Sequence, residues 1–389
     1  MVAGGRGRVI VLLVALQALV APAARAADAS SFPLPRGYTI AGVDHLADGV
    51  THVRYVATNP RRNVNVAFIR PDAGARMRVV VSNERIAGGT ETVRSMCART
   101  DCLLGVNGDL FSFGSGQPAG GMASDAAFLK SPPSSRHHLM QAGDGSTAIA
   151  TLTTTIRFFA RYPDRTEPFY VHGLNTPRGS GQAILYTDVW APTTQTGSGF
   201  EITLAPVEPD AKPRFGEPLP VRMVRGFAAG SASILPGTMV LSAHGWYADL
   251  LSSLWTDVLA GHATGEAELT FAAPPAADTF TGGWPALLLN RGQAFADRTW
   301  SFYNEQARTL AGRTADGTMM LAVIDGGQGS YWRGVRLLDA MRFMRSMGAV
   351  DALNMDGGGS STFVAHGRAV NHPVRGERGV ASALVLVPA

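Results

Sequence analysis

Apolar and polar positions alternate in short runs along most of this chain. Residues 51–56 alternate, and apolar runs at 64–69 and 77–81 follow, with turn residues between them. That pattern predicts an early antiparallel meander. Residues 90–100 read as a short helix, with Thr90 as N-cap and Val93, Met96 and Cys97 on one face. A buried strand at 103–106 runs into Asn107-Gly108-Asp109. From 131 to 237 short alternating runs are separated by Pro, Gly, Ser and Thr loops, which predicts an inserted or peripheral β-rich region. Residues 247–259 read as a helix and 318–324 as a buried strand ending at Asp325-Gly326. The clearest helical period is at 334–347, where Val335, Leu338, Met341 and Met344 share a face and Gly348 supplies the stop. An apolar run, 350–355, then ends at Asp356. Strand, helix and strand with Asp-Gly at both strand ends predict a parallel crossover, with Asp325 and Asp356 on the same edge of a sheet. The expected class is α+β, or mixed α/β: a mixed sheet with packed helices, and glycine-rich turns at the strand ends.

The count of 45 glycines and 23 prolines in 389 residues leans towards strands over long helices. Residues 1–26 have the form of a signal peptide: Arg6 and Arg8, an apolar stretch at 9–20, and Ala24-Arg25-Ala26 as the cleavage site. No later segment is long and apolar enough to cross a membrane. Secretion to the extracellular space or cell envelope is therefore expected, with residues 27–389 as one domain. Setting Arg6, Arg8 and Arg25 aside reduces the net charge of +4 to about +1. With no dense Lys/Arg block, nucleic acid is not an expected partner. Cys97 and Cys102 are expected to pair in an exported protein. His137-His138 could suggest a metal pair, but adjacent strand residues point to opposite faces, so a solvated turn is expected there.

Four places repeat one theme, a polar residue among glycines at a strand end: Asn107/Asp109, Arg308/Thr309, Asp325, and Asp356 with Gly357–Thr362. Taken alone, each reads first as a turn. In this order they resemble the phosphodiester glycosidase family. Asn-Gly-Asp-Leu-Phe at 107–111, Gly282-Gly283 with Leu287-Leu288, Arg-Thr-Leu-Ala-Gly at 308–312, Asn-Met-Asp-Gly-Gly-Gly-Ser-Ser-Thr at 354–362, Asn371-x-Pro373 and Glu377-Arg378 carry the likeness. It spans roughly residues 45–388 with a diverged middle. Gly327 departs from it, standing where the family often has arginine; if that arginine contacts the phosphate, Arg333 or Arg308 would have to substitute, or the substrate differs.

The resemblance implies a secreted hydrolase that cuts the bond between a sugar anomeric carbon and a phosphate oxygen, with a glycan or glycosyl phosphate as substrate. Phosphate leaves readily, its monoester having a second pKa of about 6, so the chemistry needs a clamp on departing charge and a carboxylate facing the sugar carbon. Arg308 is the expected clamp, helped by N–H groups of the turn at Gly358, Gly359 and Ser360. Asp356, with Asp325 or Asp109, is the expected nucleophile or base. Asn107, Asn354 and Ser361 are expected to orient sugar hydroxyls, with Asn371, Glu377 and Arg378 completing the substrate set. No cofactor is required, although the Asp-Gly carboxylates could instead hold Ca²⁺. The alternatives are a metal-assisted phosphodiesterase on the same substrates and a non-catalytic cell-envelope glycan-binding protein.

Overall fold

The computed structural model describes Met1 and residues 29–389, except 229, 275–276, 297–303 and 330–331. The signal-peptide segment lies outside the described residues, apart from Met1. Strands take 44% of the chain and helices 11%, so the protein is mainly β and not the mixed α/β expected. Three α-helices are present among the described residues, α1 (Val93–Ala98), α2 (Trp246–Leu259) and α3 (Leu337–Ser346), against four sheets. None of them is long and apolar enough to cross a membrane.

The first sheet has eight strands and overturns the expected parallel pairing. Its order is Thr39–Ala47, Val50–Thr58, Arg61–Ile69, Met319–Ile324, Arg308–Thr314, Ala349–Asn354, Ala286–Leu289 and Gly292–Gln293. The Met319–Ile324 strand, α3 and the Ala349–Asn354 strand do form a crossover whose strands run the same way. They do not touch, however. The Arg308–Thr314 strand lies between them and is antiparallel to both. Every pairing in this sheet is therefore antiparallel, and the helix crosses over a third strand. Gly312 makes room for that crossing, since a Cβ there would stand 2.6 Å from the Met344 side chain.

The core of this sheet follows from its alternation. Val64, Val66, Leu310, Met320, Ala322 and Ile324 face α3, which buries Leu337, Ala340, Met341, Phe343 and Met344 against them. Each such large side chain is worth about 1.5–3 kcal/mol of burial, which outweighs the missing side-chain cap at Arg336. Gly348 ends the helix at φ +90°, a conformation that favours glycine. On the other face Ala67, Ala311, Leu321, Val323 and Leu353 join a second core.

That second core is shared with a five-stranded sheet, ordered Arg368–Ala369, Phe363–Ala365, Leu104–Asn107, Ser382–Pro388 and Ala75–Val81. Beside it, α1 is capped by Thr92, whose Oγ1 accepts Ser95 N–H at 3.2 Å, and not by Thr90. Cys97 and Cys102 form a disulfide between α1 and the Leu104–Asn107 strand. A further eight-stranded sheet, with strands drawn from residues 155–272, carries α2. The last sheet has five strands and includes His137–Gln141, so the histidine pair is on a strand and not in a solvated turn. His138 is buried there and accepts Gly121 N–H at 3.0 Å through Nε2.

Candidate active site

Antiparallel pairing gathers the polar clusters along one edge. In register, Arg308 and Val64 both lie opposite Ile324, and Leu310 lies opposite Asn354. Asn63, Arg308, Asp325 and Asp356 therefore leave the first sheet at the same end. The Leu104–Asn107 strand brings Asn107 and Asp109 to that end from the second layer. Asn107 staples the two layers together and is wholly buried. Its Nδ2 donates to Asp356 O at 2.7 Å, and its Oδ1 accepts Thr309 Oγ1 at 2.6 Å and Thr362 N at 3.1 Å. All three bonds are to protein, and they tie the turn that carries Asp356 to the second layer.

Asp356 is the carboxylate left open. Its Oδ1 accepts Gly357 N–H at 2.9 Å, and its Oδ2 lies 3.9 Å from Arg378 Nη2. The side chain is 15% exposed. Burial pushes its pKa up to about 6, against the opposing pull of Ser360, Arg378 and Gly357, and the neighbouring Asp109 charge adds to the rise. Arg378 also donates to Ser360 Oγ. It lies beneath Phe113, with its guanidinium carbon 4.9 Å from the ring centroid.

Asp109 is buried behind this pair. Its Oδ1 accepts Leu110 N–H at 2.8 Å and lies 3.6 Å from Arg136 Nη2, and its Oδ2 accepts Gly120 N–H. Burial raises its pKa and the Arg136 charge opposes the rise. Gly120 and Gly282 are required here, because a Cβ on either would sit 2.5 or 2.7 Å from Asp109 Oδ2. Lys130 donates to Gly120 O at 3.0 Å, and burial pulls its pKa down to about 8. Arg378, Arg136 and Lys130 thus stand around Asp356 and Asp109, an excess of positive charge suited to an anionic group.

The other expected residues serve the frame. Asp325 accepts from Asn63 Nδ2 (2.7 Å), Asn371 Nδ2 (3.1 Å), His372 N (3.0 Å) and pairs with His372 Nδ1 (2.7 Å). Both its oxygens are engaged and it is buried. Asn371 also accepts Phe363 N–H at 2.8 Å and donates to Ser361 O at 3.0 Å. Asn354 donates to Trp284 O and Met355 O, each at 2.8 Å. Arg308 is fully buried under Gly357; it donates to Asn304 O at 2.8 Å and Val335 O at 3.3 Å, and burial pulls its pKa to about 10. Gly358–Ser360 form one 3₁₀ turn, in which Gly358 N–H is taken by Ala307 O at 2.8 Å and Ser360 N–H by Gly357 O at 3.2 Å. Those two donors are not free for an anion. Glu377 turns away from Arg378: it accepts Arg94 N–H at 2.8 Å, at the N-terminus of α1. Arg333 pairs with Glu305 at 3.0 Å.

The edge therefore unites Asp356, Ser360 and Arg378, and places Asp109, Arg308, Asp325, Asn354 and Asn371, all buried, in the support behind them. A concavity of about 570 Å³ opens beside Arg378, lined by Gly327, Gly359 and residues 374–378. Calcium takes about six to eight oxygen ligands. Asp325 is saturated by donors and Asp356 faces Gly357 N–H and Arg378, so neither Asp-Gly carboxylate presents such a set. Among the described residues no group of three or more His, Cys, Asp or Glu is placed to hold a metal ion. Sequence pattern did not single out Lys130 or Arg136. The usable signal for Lys130 was its rarity, as one of two lysines beside Lys212.

Residues 255–387 match the model of the phosphodiester glycosidase family. The chain is similar to N-acetylglucosamine-1-phosphodiester alpha-N-acetylglucosaminidase of Mus musculus, at 39% identity over 67 residues. The Bos taurus protein of the same name gives 37% over 67 residues. Each match covers 17% of this chain and only 13% or 12% of the relative. Among solved structures, a protein of Burkholderia pseudomallei superposes with a TM-score of 0.64 at 23% identity, over 84% of this chain and 74% of the other. A hypothetical protein of Synechocystis gives 0.67 at 17% identity, over 91% and 68%. These two likenesses support the fold.

Proposed function

We propose that this chain, which belongs to the phosphodiester glycosidase family through its residues 255–387, hydrolyses the anomeric C–O bond of a glycosyl-1-phosphodiester outside the cytoplasm. The observation that carries the reading is Asp356: an accessible carboxyl with a pKa of about 6, in reach of Arg378 and among surplus positive charge. Water gives its oxygen to the sugar carbon and a proton to the base, the C–O bond breaks, and the phosphate leaves with the bonding pair as a monoester. Asp356, ionised, faces the electron-poor sugar carbon as nucleophile or base. Arg378 takes the phosphate, in place of Arg308, because its side chain is partly exposed and Arg308 is wholly buried. Asp109, buried and held by Arg136 and the Gly120 N–H, acts through Asp356, whose pKa its charge helps to raise. Arg308, Asp325, Asn354, Asn371 and Asn107 act by fixing the turn that carries Asp356. The disulfide and the signal-like leader support export.

The test is product identity. The wild-type protein is given N-acetylglucosamine-1-phosphodiesters in ¹⁸O-water, with and without chelator, beside Asp356→Asn. Free sugar carrying the label, lost in the variant and indifferent to chelator, supports the proposal. Release of sugar 1-phosphate carrying the label on phosphorus would replace it with a metal-assisted or metal-free phosphodiesterase. Saturable binding without either product would leave a glycan-binding protein.

A further inference from the structure

Phe113 is 73% exposed, yet it is not a loose surface side chain. Its loop is tied at the base by Ala119 N to Leu110 O (2.7 Å), Ser112 N to Gln117 O (2.9 Å) and Gly116 N to Ser112 O (2.8 Å). Gly116, at φ +70°, packs so tightly that a Cβ would stand 2.2 Å from Gly89 O. One side of the Phe113 ring is set by Phe111, with centroids 5.1 Å apart, and another by Arg378 at 4.9 Å. A row therefore runs outward from the reacting carboxylate: Asp356, then Arg378, then Phe113. A rigidly held, exposed aromatic ring beside a guanidinium costs hydration, and single exposed apolar side chains are common, so exposure alone carries no argument. The order of the row does.

We propose that Phe113 builds the subsite for the alcohol on the far side of the phosphodiester, and that the protein prefers an alcohol with a flat, carbon-rich face. This rests on the hydrolase reading above. With the sugar carbon at Asp356 and the phosphate at Arg378, the group esterified to the other phosphate oxygen extends to Phe113. An aryl ring or the C–H face of a sugar ring would stack there; a methyl group would leave the ring bare. Being remote from the bond that breaks, this contact acts through binding of the whole diester and scarcely alters the leaving group's basicity.

The experiment compares methyl, benzyl and hexopyranosyl diesters of N-acetylglucosamine 1-phosphate with wild type, Phe113→Ala and Phe113→Trp. Wild type should favour benzyl, hexopyranosyl or both over methyl by about tenfold in kcat/KM, the scale of one aromatic contact. Phe113→Ala should bring that ratio below about twofold and Phe113→Trp should keep it; which bulky diester gains separates an aryl from a sugar partner. A wild-type ratio near one, a ratio that survives Phe113→Ala, or an equal fall on all three diesters would overturn the proposal, the last by showing that the ring merely holds Arg378. Calorimetric binding of benzyl against methyl phosphate reads the subsite without turnover. A preference there that Phe113→Ala abolishes, with no diester hydrolysed, would sink the hydrolase reading and keep the subsite. No preference there would sink the subsite.

Discussion

Replacing Asp356 by Asn should abolish turnover and, above neutral pH, make the protein more stable. The carboxyl's pKa rises from the ordinary 3.8 to about 6 in the fold. Its ionised form is thus disfavoured by folding. That difference is worth about 3 kcal/mol as an upper bound. The sign is fixed by linkage: the penalty is absent below pH 4, grows as the pH rises, and is complete above about pH 6. Asparagine keeps an oxygen for Gly357 N–H and carries no charge to desolvate. Its amide towards Arg378 is unfavourable, so the net gain at pH 8 should be about 1–3 kcal/mol. The assay is guanidinium denaturation followed by tryptophan fluorescence, on wild type and variant at pH 4 and pH 8. Subtracting the two proteins at each pH cancels the titrating groups that are not coupled to Asp356. Most substitutions destabilise by about 1 kcal/mol, so a gain confined to high pH is distinctive. A difference that does not change between the two pH values, or a variant less stable at pH 8, would refute the reasoning.

Three further outcomes follow from the same geometry. Arg378→Ala removes a charge that lowers the Asp356 pKa, so the acidic limb of the kcat/KM profile should move to higher pH, with kcat/KM down about 10²–10³-fold; an unmoved limb would separate the two residues. Asn107→Ala strips three buried hydrogen bonds and leaves Asp356 O and Thr362 N without that partner, which should cost about 3 kcal/mol in the denaturation midpoint; a loss below about 1 kcal/mol would show that the two layers are held otherwise. Cys97→Ser with Cys102→Ser should cost about 2 kcal/mol, the closure entropy of so short a loop, and reductant should do the same to wild type but not to the double variant.

Periodicity was legible where one face of an element meets a core. The α3 pattern was readable because Met341 and Met344 recur at helical spacing, and α2 was readable for the same reason. The parallel pairing was misread at one strand. Arg308–Thr314 precedes the Met319–Ile324 strand in sequence, and nothing local says that it will lie on that strand's far side, between it and the strand α3 leads to. The polar residues were legible as a group, since glycine beside Asn, Asp or Arg at a strand end is a strong local signal. Their division of labour was not. Arg308 and Arg378 look alike in sequence, and only packing buries the first and leaves the second facing Asp356. Burial of Lys130 and Arg136 against Asp109 is likewise a contact between distant segments, invisible to local pattern.

The Ser382–Pro388 strand lies between Leu104–Asn107 and Ala75–Val81 and is hydrogen-bonded to both. During synthesis, two strands made early must therefore wait, with unpaired edges and exposed valines, until more than 250 further residues have been added. Asn107 cannot settle beside Asp356 before then. For most of its synthesis the emerging polypeptide thus carries strand edges of the kind that aggregate, a consequence of the topology itself.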